Sequence, residues 1–578
     1  MSIYDKSSLV LIPSGTKTSK VYSQKPTNGD GDFDFTRSTA ATRVNADGNI
    51  EKETSNLLLQ SNSFNTTWGN TNTTETSGQS GYDGSSDAWL LTKTAAFGQI
   101  NQSISLSGVH TFSFYAKEGT SGWMRMVLIG TANPSAYFNL SNGNVGVTSN
   151  IISSNSENIG GGWYRYSISI NQPSITVVRI YPAEGDNDIS GTSGNIVIQD
   201  AQLEQGLVAK DYIETTTTAL YGGITDNVPR LDYTDSSCPA LLLEPQRTNA
   251  MVNSEYFGGY TIGQMTLEHN YAISPEGIQN ATRLIENTAA GTAHSVSIAT
   301  PTTATEYAWS VYAKPNGRDF MYLYVGSGVG QGKIFDIANG TIGSNVGGAP
   351  NDTKIEDVGN GWYRCTIIVN AIAGSPTPSI GLANSSSSFT YTGDGTSGVL
   401  LYGAQLEAGS YATSYIPTYG TSVTRNADLC IDAGDSSTFN DSEGVLYAEI
   451  SALAEDATFK TITINSGSNS NRINIWYWND GTFKVDGHTN SVSQFNFDFA
   501  ADLTLSNKIA VKYKANDFSV FLNGSKIDSD TSGTTPIGLN RLDFKAGDAL
   551  YPFYGKTNQV IYFPTALSDS ELATLTTI

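Results

Sequence analysis

The sequence predicts an all-β protein built from several β-sandwiches in series. Three observations predict this class: apolar and polar residues alternate with period two, glycine-containing turn pairs separate the alternating segments, and two long stretches repeat each other. The chain of 578 residues is long enough for several domains. Charged residues make up 15% of it, below the usual level of roughly a quarter, and 58 residues are glycine. This composition suits short strands joined by polar turns.

The alternation is clear in residues 164–170 (YRYSISI) and 509–514 (IAVKYK). It predicts antiparallel strands with one face on a core and the other face toward solvent. An Asn-Gly pair at 523–524 follows the segment FSVFL. Because both central residues of a type I′ turn need positive φ, this pair predicts a hairpin.

Two long stretches of the chain form a tandem repeat. Residues 191–206 (GTSGNIVIQDAQLEQG) match residues 395–409 (GTSGVLLYGAQLEAG), and residues 160–170 (GGGWYRYSISI) match residues 359–369 (GNGWYRCTIIV). The offset between matching strings rises slowly along the chain, as expected when a duplicated module gains residues in its surface loops. The sequence therefore predicts two copies of one sandwich.

Six regions follow from these patterns. Residues 1–50 contain few large apolar side chains, so we expect an extended N-terminal arm that docks on a partner through an added strand. A C-terminal domain has no copy elsewhere in the chain. The other regions are the first repeat (51–218), a connector (219–248), the second repeat (249–421), a linker (422–435) and the C-terminal domain (436–578).

Three joints near the region boundaries have similar sequences. ATRVNAD (41–47), VPRLD (228–232) and VTRNAD (423–428) each place an arginine shortly before an Asn or Asp. Each of these strings precedes a new domain. The similarity indicates that the joints belong to the repeated architecture.

Composition argues against several classes of function. The net charge of -22 and the lack of a basic patch argue against nucleic-acid binding. The longest apolar runs are too short to span a bilayer, and the N-terminus lacks the features of a secretory signal. Three widely spaced cysteines, Cys238, Cys365 and Cys430, form neither a disulfide framework nor a zinc pattern. We therefore expect a chain made in the cytosol and not inserted in a membrane.

Several strings resemble the modular virion proteins of tailed bacteriophages, which occupy tail-fibre, tail-tip and head-fibre positions. The strings are PRLDYTDSSCPALLLEPQRTN (229–249), the two copies of GWYR, GTSGVLLYGAQLEAG (395–409) and SYIPTYGTSVTR (414–425). The repeated units of such proteins resemble jelly-roll carbohydrate-binding modules. The resemblance implies a virion location, attachment to other virion proteins, binding to host surface glycan and, most commonly for such fibres, a homotrimer.

The C-terminal region resembles the concanavalin A-like, laminin-G-like sandwich. Residues 508–528 carry its paired strands around an Asn-Gly turn, and residues 559–577 carry its last strand and short helix. Within that helix, Ser568 and Glu571 have the spacing of a capping box. Members of this family commonly bind glycans, often with calcium, so calcium is the cofactor that the resemblance suggests. No calcium-ligand string of the family is matched here.

The segment NRINIWYWNDG (471–481) predicts a glycan site. Alternation places its isoleucines and tyrosine on the core face and both tryptophans on the opposite face. Flat apolar rings beside amide and carboxylate groups suit a sugar ring. The alternative is that a neighbouring domain or subunit covers the rings. The predicted glycan-binding residues are Asn474, Trp476, Trp478, Asn479 and Asp480.

A weaker pattern concerns metal. NGDGDFD places Asp30, Asp32 and Asp34 in a glycine-rich loop, and alternating carboxylates of this kind can bind calcium. However, the twelfth position, where an EF-hand needs glutamate, is Ala41. The alternative interpretation is a solvated acidic turn.

The sequence predicts no catalytic machinery. The four histidines are isolated from one another, and no nucleophile elbow or metal-protease motif is present. Trp163 and Trp362 recur at the same place in both copies, so we expect them to be structural. The predicted function is a non-enzymatic, fibre-like virion protein that binds host glycan. The alternatives are a head fibre or capsid decoration protein and, in another class, a secreted glycan-binding or glycan-degrading protein.

Overall fold

The computed structural model describes residues 3–300, 306–326, 330–370 and 376–578. The predicted all-β class is confirmed, since strands make up nearly all of the regular structure in these residues. Helical segments described there are the α-helix Asp569–Leu575 and the 3-10 turns Ile3–Lys6 and Phe257–Gly259. The predicted capping box is present at the start of the α-helix.

The first repeat is built around two very long strands, Gln99–Glu118 and Trp163–Ala183, which pair antiparallel. Their pairing register shifts between Ser103 and Gly108, where the strand bends between layers. Rings such as Phe112 fill the core between the layers. The other strands of this region are Thr54–Asn56, Gly69–Thr71, Thr73–Gln79, Ala88–Lys93, Trp123–Gly130, Ser135–Asn139, Val145–Ser149, Ser153–Gly160, Asn195–Gln205 and Leu220–Gly222.

The second repeat has two facing six-stranded antiparallel sheets around one core. One sheet contains, in order, Met265–Ala272, Ala281–Glu286, Gly398–Ala408, Glu306–Asn316, Tyr363–Asn370 and Asp352–Asp357. The other contains Thr261–Gly263, His294–Ser297, Thr377–Ala383, Phe320–Gly326, Gln331–Asp336 and Thr341–Asn345. At its edge, Arg247–Asn249 pairs with Val423–Arg425.

Equivalent residues of the two repeats make equivalent hydrogen bonds, which explains the repeated string AQLE. The Gln202 side chain donates to Glu204 at 2.7 Å and accepts from the Ile213 backbone at 2.8 Å. The Gln405 side chain donates to Glu407 and accepts from the Ile416 backbone, both at 2.6 Å. Each glutamine therefore fastens the segment that leaves the sandwich to its central strand.

The C-terminal domain also has two sheets over a shared core. The larger sheet is ordered Arg230–Asp232, Ala240–Leu243, Gly555–Phe563, Glu443–Ala452, Asn507–Lys514, Phe518–Leu522 and Ser525–Asp530, with Leu9–Leu11 also paired to Gly555–Phe563. The smaller sheet is ordered Val492–Ala500, Thr482–Thr489, Arg472–Tyr477, Lys460–Asn465 and Arg541–Asp543.

Residues 3–50 do not form the expected extended arm, because they pack against the rest of the chain. The part up to residue 36 packs on the C-terminal domain, and residues 41–50 contact the connector and the second repeat. Leu9, Leu11, Phe33 and Phe35 are completely buried in the core of the C-terminal domain. The segment has few large apolar residues, but these residues stand two positions apart in the sequence. Residues two positions apart on a strand lie on the same face, so even a very short strand can bury a pair of them in the core of another domain. The remaining strands here are Thr16–Lys17, Lys20–Val21, Phe33–Thr36, Arg43–Val44 and Ile50–Glu51, with Leu429–Ile431 paired to Phe33–Thr36.

A buried ionic cluster joins this segment to the connector and the linker. Arg37, Arg230 and Arg425 converge on Asp428 and Glu244, and these five side chains are at most 3% exposed. Arg37 lies 3.1 Å from Asp428, Arg425 lies 2.7 Å from Glu244, and Arg230 contacts both carboxylates. Burial alone would raise the pKa of Glu244, but Arg425 and Arg230 hold that pKa far below its ordinary value.

Removing Arg230 should destabilise the protein strongly, because two buried carboxylates would lose a shared partner. We expect Arg230→Ala to lower the free energy of unfolding by about 3–5 kcal/mol, measured by urea denaturation. Arg541→Ala is the matched control, since Arg541 is 37% exposed and pairs with Asp432 at the surface. That control should cost less than about 1 kcal/mol. Equal denaturation midpoints for the two variants would contradict a large contribution of the buried ionic cluster to stability.

Candidate functional site

The strand Arg472–Tyr477 separates a core face from an outer face, as its alternation predicts. Ile473, Ile475 and Tyr477 are buried in the core of the C-terminal domain. The side chains of Asn474 and Trp476 lie on the opposite face of the same sheet, where the candidate site is found.

Two of the predicted glycan-binding residues lie beneath the surface. Asn474 is completely buried, and Trp476 is 8% exposed. Both donate a hydrogen bond of 2.8 Å to the same oxygen of Asp486. The expectation that Trp476 stands exposed is therefore wrong. Its ring is covered by Trp478 and by Tyr551, with centroid distances of 5.7 Å and 5.6 Å.

The accessible rings form a cluster above Trp476. Trp478 is half-buried and meets Phe459 edge-on at 4.5 Å between ring centroids. Tyr551 contacts Phe459 at 5.4 Å and is 41% exposed. The ammonium group of Lys484 lies 4.4 Å from the centroid of the Trp478 ring, within the range of a cation–π contact. Trp478 is thus held in place from several sides while part of its surface remains open.

A groove of about 220 Å³ runs beside Trp478. Three predicted residues, Trp478, Asn479 and Asp480, line it together. Asp480 accepts a 2.6 Å hydrogen bond from the hydroxyl of Thr482, and this bond lowers the pKa of Asp480. The groove therefore combines an aromatic wall with an amide and an ionised carboxylate. We call it the aromatic groove, and its other lining residues are Ala454, Glu455, Asp456, Ala457, Thr458, Lys460, Tyr477, Gly481 and Leu503.

Asp486 holds the Trp476 ring, which in turn contacts Trp478 at the groove. Besides Asn474 and Trp476, it meets the guanidinium of Arg472 and the Nδ1 atom of His488, each at 3.0 Å. Burial alone would raise the pKa of Asp486, but these neighbours favour the carboxylate and hold the pKa below its ordinary value of 3.8. The orientation of the Trp476 ring is thereby fixed by an ionised, buried carboxylate.

Sequence reasoning missed the residues that complete the cluster. Tyr551 and Phe459 lie in loops, and no local pattern connects them with residues 476–478. Lys484 did carry a signal. The Asp-Gly turn at 480–481 implies a hairpin that brings Lys484 next to this strand, but a two-residue turn would place Lys484 opposite Tyr477. The structure places Lys484 opposite Trp476, because the loop between Trp478 and Thr482 has three residues.

The three aspartates of the predicted metal loop are not brought together. Asp32 accepts a 2.8 Å hydrogen bond from the backbone of Ser23, Asp34 pairs with Lys20, and Asp30 contacts Asn28. In the described ranges, no group of three His, Cys, Asp or Glu side chains could hold a metal ion. The three carboxylates that the sequence pattern assigned to calcium are thus bonded to neighbouring side chains and a backbone amide.

Comparison with known proteins gives likeness in fold only. No protein-family model matches the chain, and no curated protein matches it. The Ruminococcus gnavus IT-sialidase CBM40 bound to alpha2,3 sialyllactose is 18% identical, with a TM-score of 0.22, over 25% of this chain and 92% of that chain. The leech intramolecular trans-sialidase is 20% identical, with a TM-score of 0.22, over 24% of each chain.

A longer match is the N-terminal CBM22-1-CBM22-2 tandem domain from Paenibacillus barcinonensis Xyn10C. It is 10% identical, with a TM-score of 0.20, over 61% of this chain and 96% of that chain. Likeness at these scores carries no conclusion about function. Separately, no helix in the described part of the chain has the length and apolarity required to cross a membrane.

The lowered pKa of Asp486 predicts how acid affects the C-terminal domain. Because the folded pKa lies below the ordinary 3.8, the stabilisation is complete above that value and is lost as the pH falls through the folded pKa. We expect Asp486→Asn to be less stable near neutral pH and to lose this part of the acid sensitivity, measured by thermal unfolding at a series of pH values. Asp528→Asn, at an exposed position of an edge strand, is the control. An unchanged pH profile for Asp486→Asn would contradict the bracing role.

Proposed function

We propose that this protein is a non-enzymatic glycan-binding protein whose aromatic groove takes a neutral sugar. The observation that carries the proposal is a braced, partly open Trp478 ring beside Asn479 and Asp480 in one groove. The apolar face of a pyranose stacks on an aromatic ring, while its hydroxyls need adjacent donors and acceptors. The amide of Asn479 and the carboxylate of Asp480 provide them.

Charge favours a neutral ligand over an anionic one. Glu455, Asp456 and Asp480 line the groove, and the whole chain has a net charge of -22. Lys460, the cation that lines the groove, is already paired with Asp456. An anionic polysaccharide would therefore approach a surface of its own sign, which slows association and weakens binding.

The groove is also organised before a ligand arrives. Trp478 packs against Phe459 and Trp476, and the Lys484 ammonium lies over its ring. Side chains that are already ordered lose little conformational entropy on binding, so weak stacking contacts are more effective. Such a surface suits adhesion through many weak contacts.

Removing the accessible rings should abolish most of the binding. We expect Trp478→Ala/Tyr551→Ala to bind neutral host polysaccharide roughly fivefold to a hundredfold more weakly, because each of the two stacking contacts contributes about 0.5–1.5 kcal/mol. The matched control is Tyr221→Ala, which removes a tyrosine that is 56% exposed in the connector. Isothermal titration calorimetry measures the affinities, and near-ultraviolet circular dichroism checks the fold. A folded double variant with the affinity of the unmodified protein would refute the proposal.

We propose further that the protein is a fibre-like structural component of a tailed-bacteriophage virion, present as a homotrimer. The strings at 229–249 and 395–409 support this through their resemblance to modular virion proteins, and sandwiches in series suit a rod that presents weak sites repeatedly. Attachment through residues 1–50 is not part of the proposal, since residues 3–50 already pack against other parts of this chain, including the C-terminal domain.

Two measurements test the virion proposal. Antibody labelling of intact particles should detect the protein, with tail labelling favouring a tail fibre and capsid labelling a head fibre or decoration protein. Light scattering at micromolar concentration should give three times the chain mass of 61.6 kDa. Particles without label, or a monomer throughout the concentration range, would contradict the virion and trimer assignments respectively.

A further inference from the structure

A second cavity, which shares no lining residue with the aromatic groove, lies where the two repeats meet. Its volume is about 360 Å³, within the range of small-molecule sites. The first repeat contributes His110 and Gln205, and the end of the second repeat contributes the segment 415–421. We call it the junction cavity. Its remaining lining residues are Ala40, Ala41, Lys52, Glu53, Ser55, Ser105, Leu106, Ser107, Val423 and Arg425.

His110 is the group in this cavity whose polar atoms are unused. Its side chain lines the cavity and is 1% exposed, yet neither ring nitrogen has a hydrogen-bond partner among the described residues. Burial lowers the pKa of His110 to about 4, and the nearby Gly108 carbonyl opposes this shift without forming a well-shaped hydrogen bond. The ring is therefore neutral at physiological pH and offers one donor and one acceptor.

Buried polar groups are nearly always satisfied, so an unused pair in a cavity points to a missing partner. A neutral imidazole needs an acceptor for its N–H group and a donor for its other nitrogen. A hydroxyl group can act as either, so a molecule with several hydroxyls at different positions can supply a partner to each nitrogen. The chemistry of His110 thus fits a polyol.

The cationic residues of the cavity do not call for an anionic ligand. Lys52 already contacts Glu255 at 2.7 Å and Glu276 at 2.8 Å. Arg425 already contacts Glu244 at 2.7 Å. Because these cations are neutralised by buried carboxylates, an incoming anion would gain little attraction and would lose its hydration.

The walls of the cavity are mixed in polarity. Ile416, Pro417 and the ring of Tyr419 supply apolar surface, and Ser55 is a small hydroxyl on the wall. The mouth is formed by exposed polar residues, which give a ligand a route in from solvent. These mouth residues are Ser105, Ser107, Gln205 and Thr421.

We propose that the junction cavity binds a neutral, polyhydroxylated molecule of monosaccharide size, whose hydroxyls hydrogen-bond to the nitrogens of His110. This site is separate from the aromatic groove and does not rest on the function proposed for it. Its walls come from both repeats and from residues 40–41, so a bound ligand would also fasten these parts together.

The test uses the full chain and four probes: glucose, galactose, mannose and mannitol. Ligand-observed saturation-transfer NMR should detect at least one of them, and isothermal titration calorimetry then gives its affinity. We expect His110→Phe to weaken that binding roughly tenfold or more, because two hydrogen bonds are lost. His110→Gln, which keeps a donor and an acceptor, should retain more of the binding than His110→Phe.

Two controls distinguish binding in the cavity from binding elsewhere on the chain. His294 is another buried histidine whose ring nitrogens have no hydrogen-bond partner among the described residues, and it lies outside the cavity lining. His294→Phe should therefore leave binding unchanged. Trp478→Ala/Tyr551→Ala should also leave it unchanged, which distinguishes this site from the aromatic groove. If His110→Phe does not fold, Ser107→Trp at the exposed mouth should block entry and abolish the signal. Absence of signal from all four probes, meaning water only, or full binding by folded His110→Phe and Ser107→Trp would overturn the proposal.

Discussion

Three buried arginines and two buried carboxylates hold the molecule together. Arg37, Arg230 and Arg425 come from regions far apart in the chain, and each reaches Asp428 or Glu244 in a site closed to water. Burying such charges is costly, and the cost is offset only when each charge has well-placed partners. One alternative arrangement, in which residues 3–50 detach from the connector and the linker, would strip Arg37 of its carboxylate, Asp428. This constraint explains why three regions with weak apolar content fold as one unit.

A second buried ionic joint fixes the two repeats against each other. Lys52, at the start of the first repeat, lies between Glu255 and Glu276 of the second repeat. Lys210 adds a 2.6 Å contact to Glu276, and the Asn270 amide donates to the Leu207 carbonyl at 2.7 Å. The junction cavity opens beside this joint, so its shape depends on the same contacts. Both candidate sites thus depend on buried carboxylates: Asp486 holds the Trp476 ring near the aromatic groove, and Glu255 and Glu276 bind Lys52 beside the junction cavity.

Sequence patterns correctly predicted the features that depend only on residues close together in the chain. The strand faces at residues 473–477 and the helix start at Ser568 follow from alternation and capping, and both are present. The exposure of Trp476 could not be predicted, because it depends on Tyr551, which approaches from a loop more than seventy positions along the chain. The packing of residues 3–50 was missed for a related reason. Composition counts apolar residues, whereas burial of Phe33 and Phe35 depends on a core supplied by another region.

The pairing of Leu9–Leu11 with Gly555–Phe563 has a consequence for biosynthesis. A ribosome adds about 5–20 residues per second, so the first of these strands waits on the order of half a minute to two minutes for its partner. Both repeats lie between the two strands in sequence and can close their own cores during that interval. Meanwhile Leu9, Leu11 and their neighbours remain without the sheet that buries them. Nascent chains of this protein therefore carry an uncovered strand until residues 555–563 have been made, which makes shielding by chaperones most valuable during elongation.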